Sequence, residues 1–513
     1  MSLADGKLEE LEKTWQKARE LVEDIHEEIR SNEGQLLDLV TQNVSLKSID
    51  VDALRAFSEK PYVILPKAKN EYWIIVPRFV PFQLGWLERQ TESYNIFVVN
   101  KYIDWIAPLP HDLKARLGLE GYLSKAVIRA RGPGESSILE IAPDELDRTW
   151  DKYKKRLTSK VQGREDQFYI KKGTEWDLLA ELIQDGMLPF EPKPINDKDL
   201  REDPGTIKLR DYQKRAWDAL ETYGAIGVFW APGAGKTYLS LYAGNRIKGN
   251  KLVVVPMKTL VEQWSNRIRK YATHPHEWEV KTYQYITMKR HLAKYQKKKY
   301  KVIIFDEVHH LPSTHFSKLA HLQADYRIGL SASPYREDGR TEYIFALTGY
   351  PVGLKWRELI SLGVVQEPDV KVYVYNTISQ KRADLSKVVY SRTGKILIYC
   401  DSIDLGHSLK RDLGVEFVHG GTKNRMDILQ RDRVVIASRV ADEGISLPDL
   451  DIVVEYDFLF GSRRQEAQRA GRLMHGEGKG EHIIMMTEDE LNKYEKRLYG
   501  LEEQGFRIRF ERH

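Results

Sequence analysis

Residues 229–241 read FWAPGAGKTYLSL: an apolar run ends, alanine, proline and glycine turn the chain, and a helical pattern starts at Lys236. Gly233, Ala234 and Gly235 leave the backbone free to curl its N–H groups around an anion. The helix N-terminus behind them favours negative charge, Lys236 neutralises a phosphate, and the Thr237 hydroxyl suits Mg²⁺. The usual loop of this kind has a glycine five residues before its last glycine; Trp230 occupies that position here. A strand, a phosphate loop and a helix in succession predict an α/β fold with a parallel sheet.

Working outward, AIGVFW (225–230), KLVVVP (251–256), KVIIFDE (301–307) and YRIGLSAS (326–333) are apolar runs separated by helical lengths. A second series follows: KILIYC (395–400), GVEFVHG (414–420), RVVIAS (433–438), DIVVEYD (451–457) and EHIIMMT (481–487). Near-continuous Val/Ile runs are what a strand buried on both faces requires. Two series in tandem predict two doubly wound α/β domains, 204–350 and 351–513, with a cleft between them. The run at 301–307 ends in Asp306 and Glu307, where the carboxyl edge of such a sheet opens toward a ligand. One carboxylate suits Mg²⁺ and the other an attacking water, with His309 placed to couple them to neighbouring elements. Together with the loop at Lys236, this pair predicts a nucleotide hydrolase. A metal site built from His309, His310 and His315 is the alternative reading of the same stretch.

The whole chain has 513 residues, with 80 Lys+Arg against 75 Asp+Glu, a net charge of +5 that names no partner by itself. The single cysteine, Cys400, excludes an intramolecular disulfide and sits in an apolar strand pattern, which predicts a structural thiol. No run approaches about 18 apolar residues. The opening MSLADGKLEELEK is polar and acidic, so a cytoplasmic protein without a membrane partner is expected. Residues 1–58 read as helical, with Leu8, Leu11, Trp15, Ala18, Val22, Ile25 and Ile29 on one face. Residues 59–203 carry short β-prone runs broken by Pro and Asn and predict a mixed α/β accessory domain, with DNA binding as a minority reading. FEPKPINDKDLREDPG (190–205) reads as a linker. The basic run YITMKRHLAKYQKKKYK (285–301), with Lys289, Arg290, Lys294, Lys297, Lys298 and Lys299, suits phosphate contact or a solvated helix.

LRDYQ (209–213), APGAGKT (231–237), VVVPMKTLVEQW (253–264), TYQ (282–284), DEVHH (306–310), SAS (331–333), ADEGISLPD (441–449) and GSRRQEAQRAGR (461–472) occur in this order. The series resembles superfamily 2 helicases of the DExH type. YREDGR (335–340) and the 461–472 stretch narrow the resemblance to the XPB group and its archaeal and phage-like relatives. It covers roughly residues 205–475 and implies two RecA-like domains using ATP and Mg²⁺, with Lys236, Asp306 and Glu307 as catalytic residues. Arg210 and Gln213 would recognise adenine. Gly444 and Ser446 would contact the nucleotide from the second domain, and Gln468, Arg469 and Arg472 would approach its phosphates. Thr259, Gln263, Thr282 and Tyr283 would track a nucleic-acid strand, Ser331 and Ser333 with His309 would couple the two sites, and Arg336, Glu337 and Asp338 would face the strand junction.

The implied function is an ATP-dependent DNA helicase or translocase, monomeric, acting on single-stranded, forked or branched DNA in repair, replication or recombination. Two alternatives remain: an RNA-directed DExH motor, and a nucleotide-gated module that clamps DNA or recruits a nuclease or other repair protein. The family's last motif ends in an arginine where His475 stands here, and the segment between SAS and KILIYC is shorter than in the group.

Overall fold

A computed structural model describes most of residues 63–513 and, before them, Lys13, Gln16 and Lys17, which are helical and exposed. Residues 78–85, 101–114, 116–125, 130–134, 333–340, 442–446 and 459–465, with several shorter stretches, lie outside the description. The helical reading of 1–58 falls there apart from those three residues. The chain divides into one unit ending at Ile103 and a second running from Asp104 to His513.

In the first unit β1 (Val63–Ala68), β2 (Glu71–Pro77), β3 (Trp86–Gln90) and β4 (Tyr94–Asn100) form an antiparallel sheet in the order β1-β2-β4-β3. Ile75, Tyr94 and Ile96 make its core, against which Val63, Leu65 and Trp73 pack. In the second unit β5 (Ala126–Arg129), β6 (Ile138–Ile141), β7 (Leu157–Lys160) and β8 (Gln167–Ile170) form another antiparallel sheet, ordered β5-β6-β8-β7. Residues 59–203, read as one domain, therefore carry two separate sheets. The Glu175–Gln184 helix that follows buries Leu178 and Leu182 against Leu139, Phe168 and Ile170. Its other side meets the Thr341–Thr348 helix, where Tyr343 donates to Asp177 Oδ1 at 2.7 Å.

The remainder of the second unit holds two lobes. In the first, β9 (Ala225–Phe229), β10 (Lys251–Val255), β11 (Trp278–Thr282), β12 (Lys299–Phe305), β13 (Gln323–Ser331) and β14 (Tyr350–Gly353) are all parallel, ordered β11-β10-β12-β13-β9-β14. In the second, β15 (Asp369–Tyr375), β16 (Lys395–Tyr399), β17 (Glu416–Val418), β18 (Val434–Ala437), β19 (Leu450–Glu455), β20 (Glu481–Thr487) and β21 (Ile508–Arg512) are parallel in the order β17-β18-β16-β19-β20-β15-β21. The α/β class with two tandem parallel-sheet domains is borne out. A single cluster of buried side chains includes Ile226 and Ile328 of the first lobe, Leu354 and Leu359 beyond β14, and Val370, Phe458 and Leu498 of the second. Cys400 is buried at the end of β16, and burial pushes its thiol up to about 12, as a structural role requires.

The 190–205 segment is a strap rather than a free linker. Ile195 is buried, its N–H donates to Glu221 O at 2.8 Å, and Lys301 bridges Asp199 and Asp325 at 2.7 and 2.9 Å. Arg201 pairs with Glu277 at 2.5 Å. Charges that read as linker composition are ion-pair partners of β12 and of the turn that leads into β11. The basic run at 285–301 is similarly divided: Lys298 pairs with Glu279 and Lys299 with Asp325, both at 2.8 Å. Lys289, Arg290, Lys294 and Lys297 are exposed on the Lys289–Lys297 helix and its start.

Candidate functional site

Parallel order brings the carboxyl ends of β9, β12 and β13 to one edge of the first lobe. Phe229 is registered with Ser331, and Phe305 with Gly329. The loop leaving β9 passes through Gly233 (φ 78°) and Gly235 (φ 80°), a left-handed region that glycine enters without a Cβ penalty. A Cβ on Gly235 would also stand 2.4 Å from Gln213 Nε2. Helix Lys236–Arg246 begins immediately after it. Trp230, the departure from the usual loop, is buried with its ring edge-on to Tyr212 at 5.2 Å, and its main-chain N–H donates to Ser331 O at 3.2 Å. The indole fills the space beside Tyr212, while the phosphate-facing half from Gly233 onward keeps its expected form.

Lys236 is half-buried and folds back onto its own loop, donating to Trp230 O at 2.7 Å and Ala231 O at 3.1 Å. Burial lowers its pKa, opposed by the charges of Glu307 and then Asp306. Lys236, Asp306 and Glu307 thus share one electrostatic site. Asp306 Oδ2 accepts from Trp264 Nε1 at 2.7 Å and Oδ1 from the Glu307 N–H at 3.0 Å. Burial pushes its carboxyl up, against the Trp264 hydrogen bond and Lys236. Such a carboxylate gains from a bound cation. With the Thr237 hydroxyl it offers hard oxygen donors, the kind Mg²⁺ takes, so these residues fit that ion.

Glu307 adopts φ 47°, ψ 52°, a left-handed conformation rare for a residue with a side chain. It turns the carboxylate toward His309, whose Nδ1 lies 3.3 Å from Glu307 Oε2 and 3.0 Å from Ser331 Oγ. Both His309 and Ser331 are fully buried. His309 thus touches both Glu307 of the acidic pair and Ser331 of the SAS stretch. His310 instead lies beside His309 and Tyr283, and His315 Nε2 meets Thr287 Oγ1 at 3.0 Å. His309 and His315 thus engage different partners, Ser331 and Thr287, which leaves the three-histidine metal reading without support.

Gln213, buried, ties the helix start to the loop: its Oε1 accepts from Arg210 N at 2.9 Å and its Nε2 donates to Ala234 O and Gly235 O at 3.4 and 3.3 Å. Tyr212, which sequence reasoning left unassigned, donates to Ala234 O at 2.8 Å. Arg210 is exposed.

Two expectations need correction. Tyr283 is not on a strand-tracking surface. It is fully buried, and its hydroxyl donates to Asp306 O at 3.0 Å, supporting the acidic pair from beneath. Neighbouring Thr282 caps the Tyr283–Thr287 turn by accepting from Tyr285 N at 3.1 Å. Arg469 likewise is not presented to a cleft. Its side chain is fully buried, 4.0 Å over the Tyr399 ring, with Nη1 on Glu455 Oε2 at 2.7 Å and Nη2 on Asp401 Oδ1 at 3.3 Å. Glu466, His482 and Arg497 complete this buried cluster. The acidic groups that converge with His482 there face two guanidinium groups. Arg472 lies in the short turn Gly471–His475 and is half-buried. Thr259 and Gln263 sit on the Lys258–Tyr271 helix. Ser333, Arg336, Glu337, Asp338, Gly444, Ser446 and Gln468 lie outside the described residues, as does the side chain of His475.

Residues 206–336 match the family model described as type III restriction enzyme, res subunit, and residues 368–502 the one described as ERCC3/RAD25/XPB C-terminal helicase. A Haloarcula marismortui protein named for the DNA 3'-5' helicase Rad25 is 30% identical over 371 residues, covering 63% of this chain and 59% of its own length. The DNA 3'-5' helicase XPB of Mycobacterium tuberculosis is 28% identical over 379 residues, covering 64% and 67%. The XPB helicase/translocase subunit of the general transcription and DNA repair factor IIH of Encephalitozoon cuniculi is 26% identical over 410 residues, covering 64% and 61%. The chain thus spans about three fifths of the length of the Haloarcula relative.

Proposed function

We propose that the two motor lobes belong to the XPB-like superfamily 2 helicases, as the matches of residues 206–336 and 368–502 and the helicase relatives support, and that this chain is an ATP-dependent DNA helicase or translocase. The observation that carries the reading is the convergence of Lys236, Asp306 and Glu307 on one sheet edge, with His309 linking Glu307 to Ser331. On this reading Lys236 and the loop amides hold the β- and γ-phosphates. Thr237 and Asp306 would hold Mg²⁺, whose charge would offset that of the phosphate oxygens. Glu307 orients the attacking water, and His309 passes the state of the γ-phosphate to Ser331 at the end of β13. Ser331 leads into the segment 333–340, in which Arg336, Glu337 and Asp338 act on the strand junction.

Arg469 is committed to Glu455 and Asp401, so the charge that stabilises the transition state from the second lobe falls to Arg472. Hydrolysis then depends on closure of the lobes, and the alternating grip moves the protein along DNA. Single-stranded, forked or branched DNA is the substrate class. The test is ATP turnover with single-stranded, forked and blunt-duplex DNA and with RNA, for the wild type and Lys236→Ala. Turnover stimulated by DNA over RNA and lost in Lys236→Ala supports the reading. DNA-stimulated turnover that survives Lys236→Ala, or stimulation by RNA in place of DNA, overturns it.

A further inference from the structure

The Lys258–Tyr271 helix reaches the nucleotide site at two places. Trp264 holds Asp306 Oδ2, and one turn later Arg267 Nη1 donates to Thr237 Oγ1 at 3.2 Å. One helix therefore addresses both oxygen groups suited to Mg²⁺, Trp264 the Asp306 carboxylate and Arg267 the Thr237 hydroxyl. Sequence reading assigned nothing to Arg267 or Trp264. Their spacing adds a second fact: Thr259, Gln263 and Arg267 stand at i, i+4 and i+8 on one 14-residue helix, hence on one face. At 1.5 Å per residue, Thr259 and Arg267 are about 12 Å apart along the axis.

We propose that Arg267 is a positioning residue that holds the Thr237 hydroxyl and yields it when Mg²⁺ arrives with ATP. Release of this contact lets the Arg267 face of the helix, which also carries Thr259 and Gln263, shift while Trp264 and the buried face stay anchored, so the metal-loaded state of the ATP site is communicated to the DNA track. The inference rests on the nucleotide reading above and adds to it a route between the sites that does not pass through His309 and Ser331. A cation on Thr237 Oγ1 and Asp306 repels a guanidinium at 3.2 Å from that same hydroxyl, and side chains on one face of a continuous helix move together.

The test is equilibrium binding of a fluorescent, non-hydrolysed ATP analogue to the full chain over a Mg²⁺ titration, for wild type, Arg267→Met and Arg267→Lys. Removing a competing charged hydrogen bond should lower the half-saturating Mg²⁺ about three- to tenfold in Arg267→Met, while Arg267→Lys, which keeps the charge and a donor, stays near wild type. The Mg²⁺-dependent change in single-stranded DNA affinity seen in the wild type should shrink in Arg267→Met and persist in Arg267→Lys. An unchanged or raised Mg²⁺ midpoint in Arg267→Met overturns the proposal, a raised one marking Arg267 as a phosphate ligand. Should Arg267→Met fail to fold, Arg267→Gln answers the same question. A wild type that binds no nucleotide sinks the parent reading and this one with it. Binding with an unaltered midpoint sinks this one alone.

Discussion

Replacing Arg469 by alanine separates two roles that one motif confuses. The side chain is fully buried, bonded to Glu455 and Asp401 and stacked over Tyr399. Removing it leaves two carboxylates near each other in the second lobe without that partner, with Arg497 remaining on Glu455. Breaking a buried pair by deleting one member costs about 3–5 kcal/mol, because the other charge stays desolvated. Arg472→Ala, in a half-buried turn, should cost less than about 1 kcal/mol. Urea unfolding monitored by circular dichroism, together with ATP turnover at saturating DNA, gives both readouts. The account requires Arg469→Ala to lose several kcal/mol, and Arg472→Ala to stay as stable as wild type while losing turnover by about a thousandfold. A stable but inactive Arg469→Ala would refute the assignment of Arg469 to the interior.

Gly235→Ala places a Cβ 2.4 Å from Gln213 Nε2 at φ 80°; nucleotide affinity measured by titration should fall at least tenfold, since the loop must distort or Gln213 must leave Ala234 and Gly235. Glu466 gives a pH signature. Burial and then Glu455 push its carboxyl up to about 8, so it is neutral in the folded chain at pH values where the unfolded chain ionises it. Its contribution is complete below about 4.5 and is lost as pH rises toward 8, on the order of 3–5 kcal/mol. Glu466→Gln should flatten that decline in denaturant midpoints between pH 5 and 8, and an identical decline in both proteins would contradict the burial argument.

Legibility followed locality. The 229–241 loop, the 301–307 strand with its acidic end and the central strands of both lobes were readable because buried parallel strands are apolar throughout and phosphate loops are contiguous. β11, β14 and β21 were not. Each lies at a sheet edge, where part of the strand faces solvent and apolar continuity breaks, as in WEVKT over 278–282, half-buried throughout. β15, DVKVYVY, alternates for the same reason one place in from the edge. Tyr283 read as surface because a motif position does not say which way its ring turns; Phe305, Phe316 and Asp306 decide that. The commitment of Arg469 required partners at 401 and 455, far from it in sequence. Arg267 left one weak trace, its i+8 spacing from Thr259.

The measurement that bears most directly on the motor reading is made on Glu307→Gln, with ATP hydrolysis and ATP-analogue binding followed in the presence of forked DNA. The amide keeps the size of the side chain and gives up the charge to which the proposed mechanism assigns the orienting of water. Nucleotide binding should persist within about threefold while turnover falls at least a hundredfold. Wild-type turnover in Glu307→Gln would contradict the account.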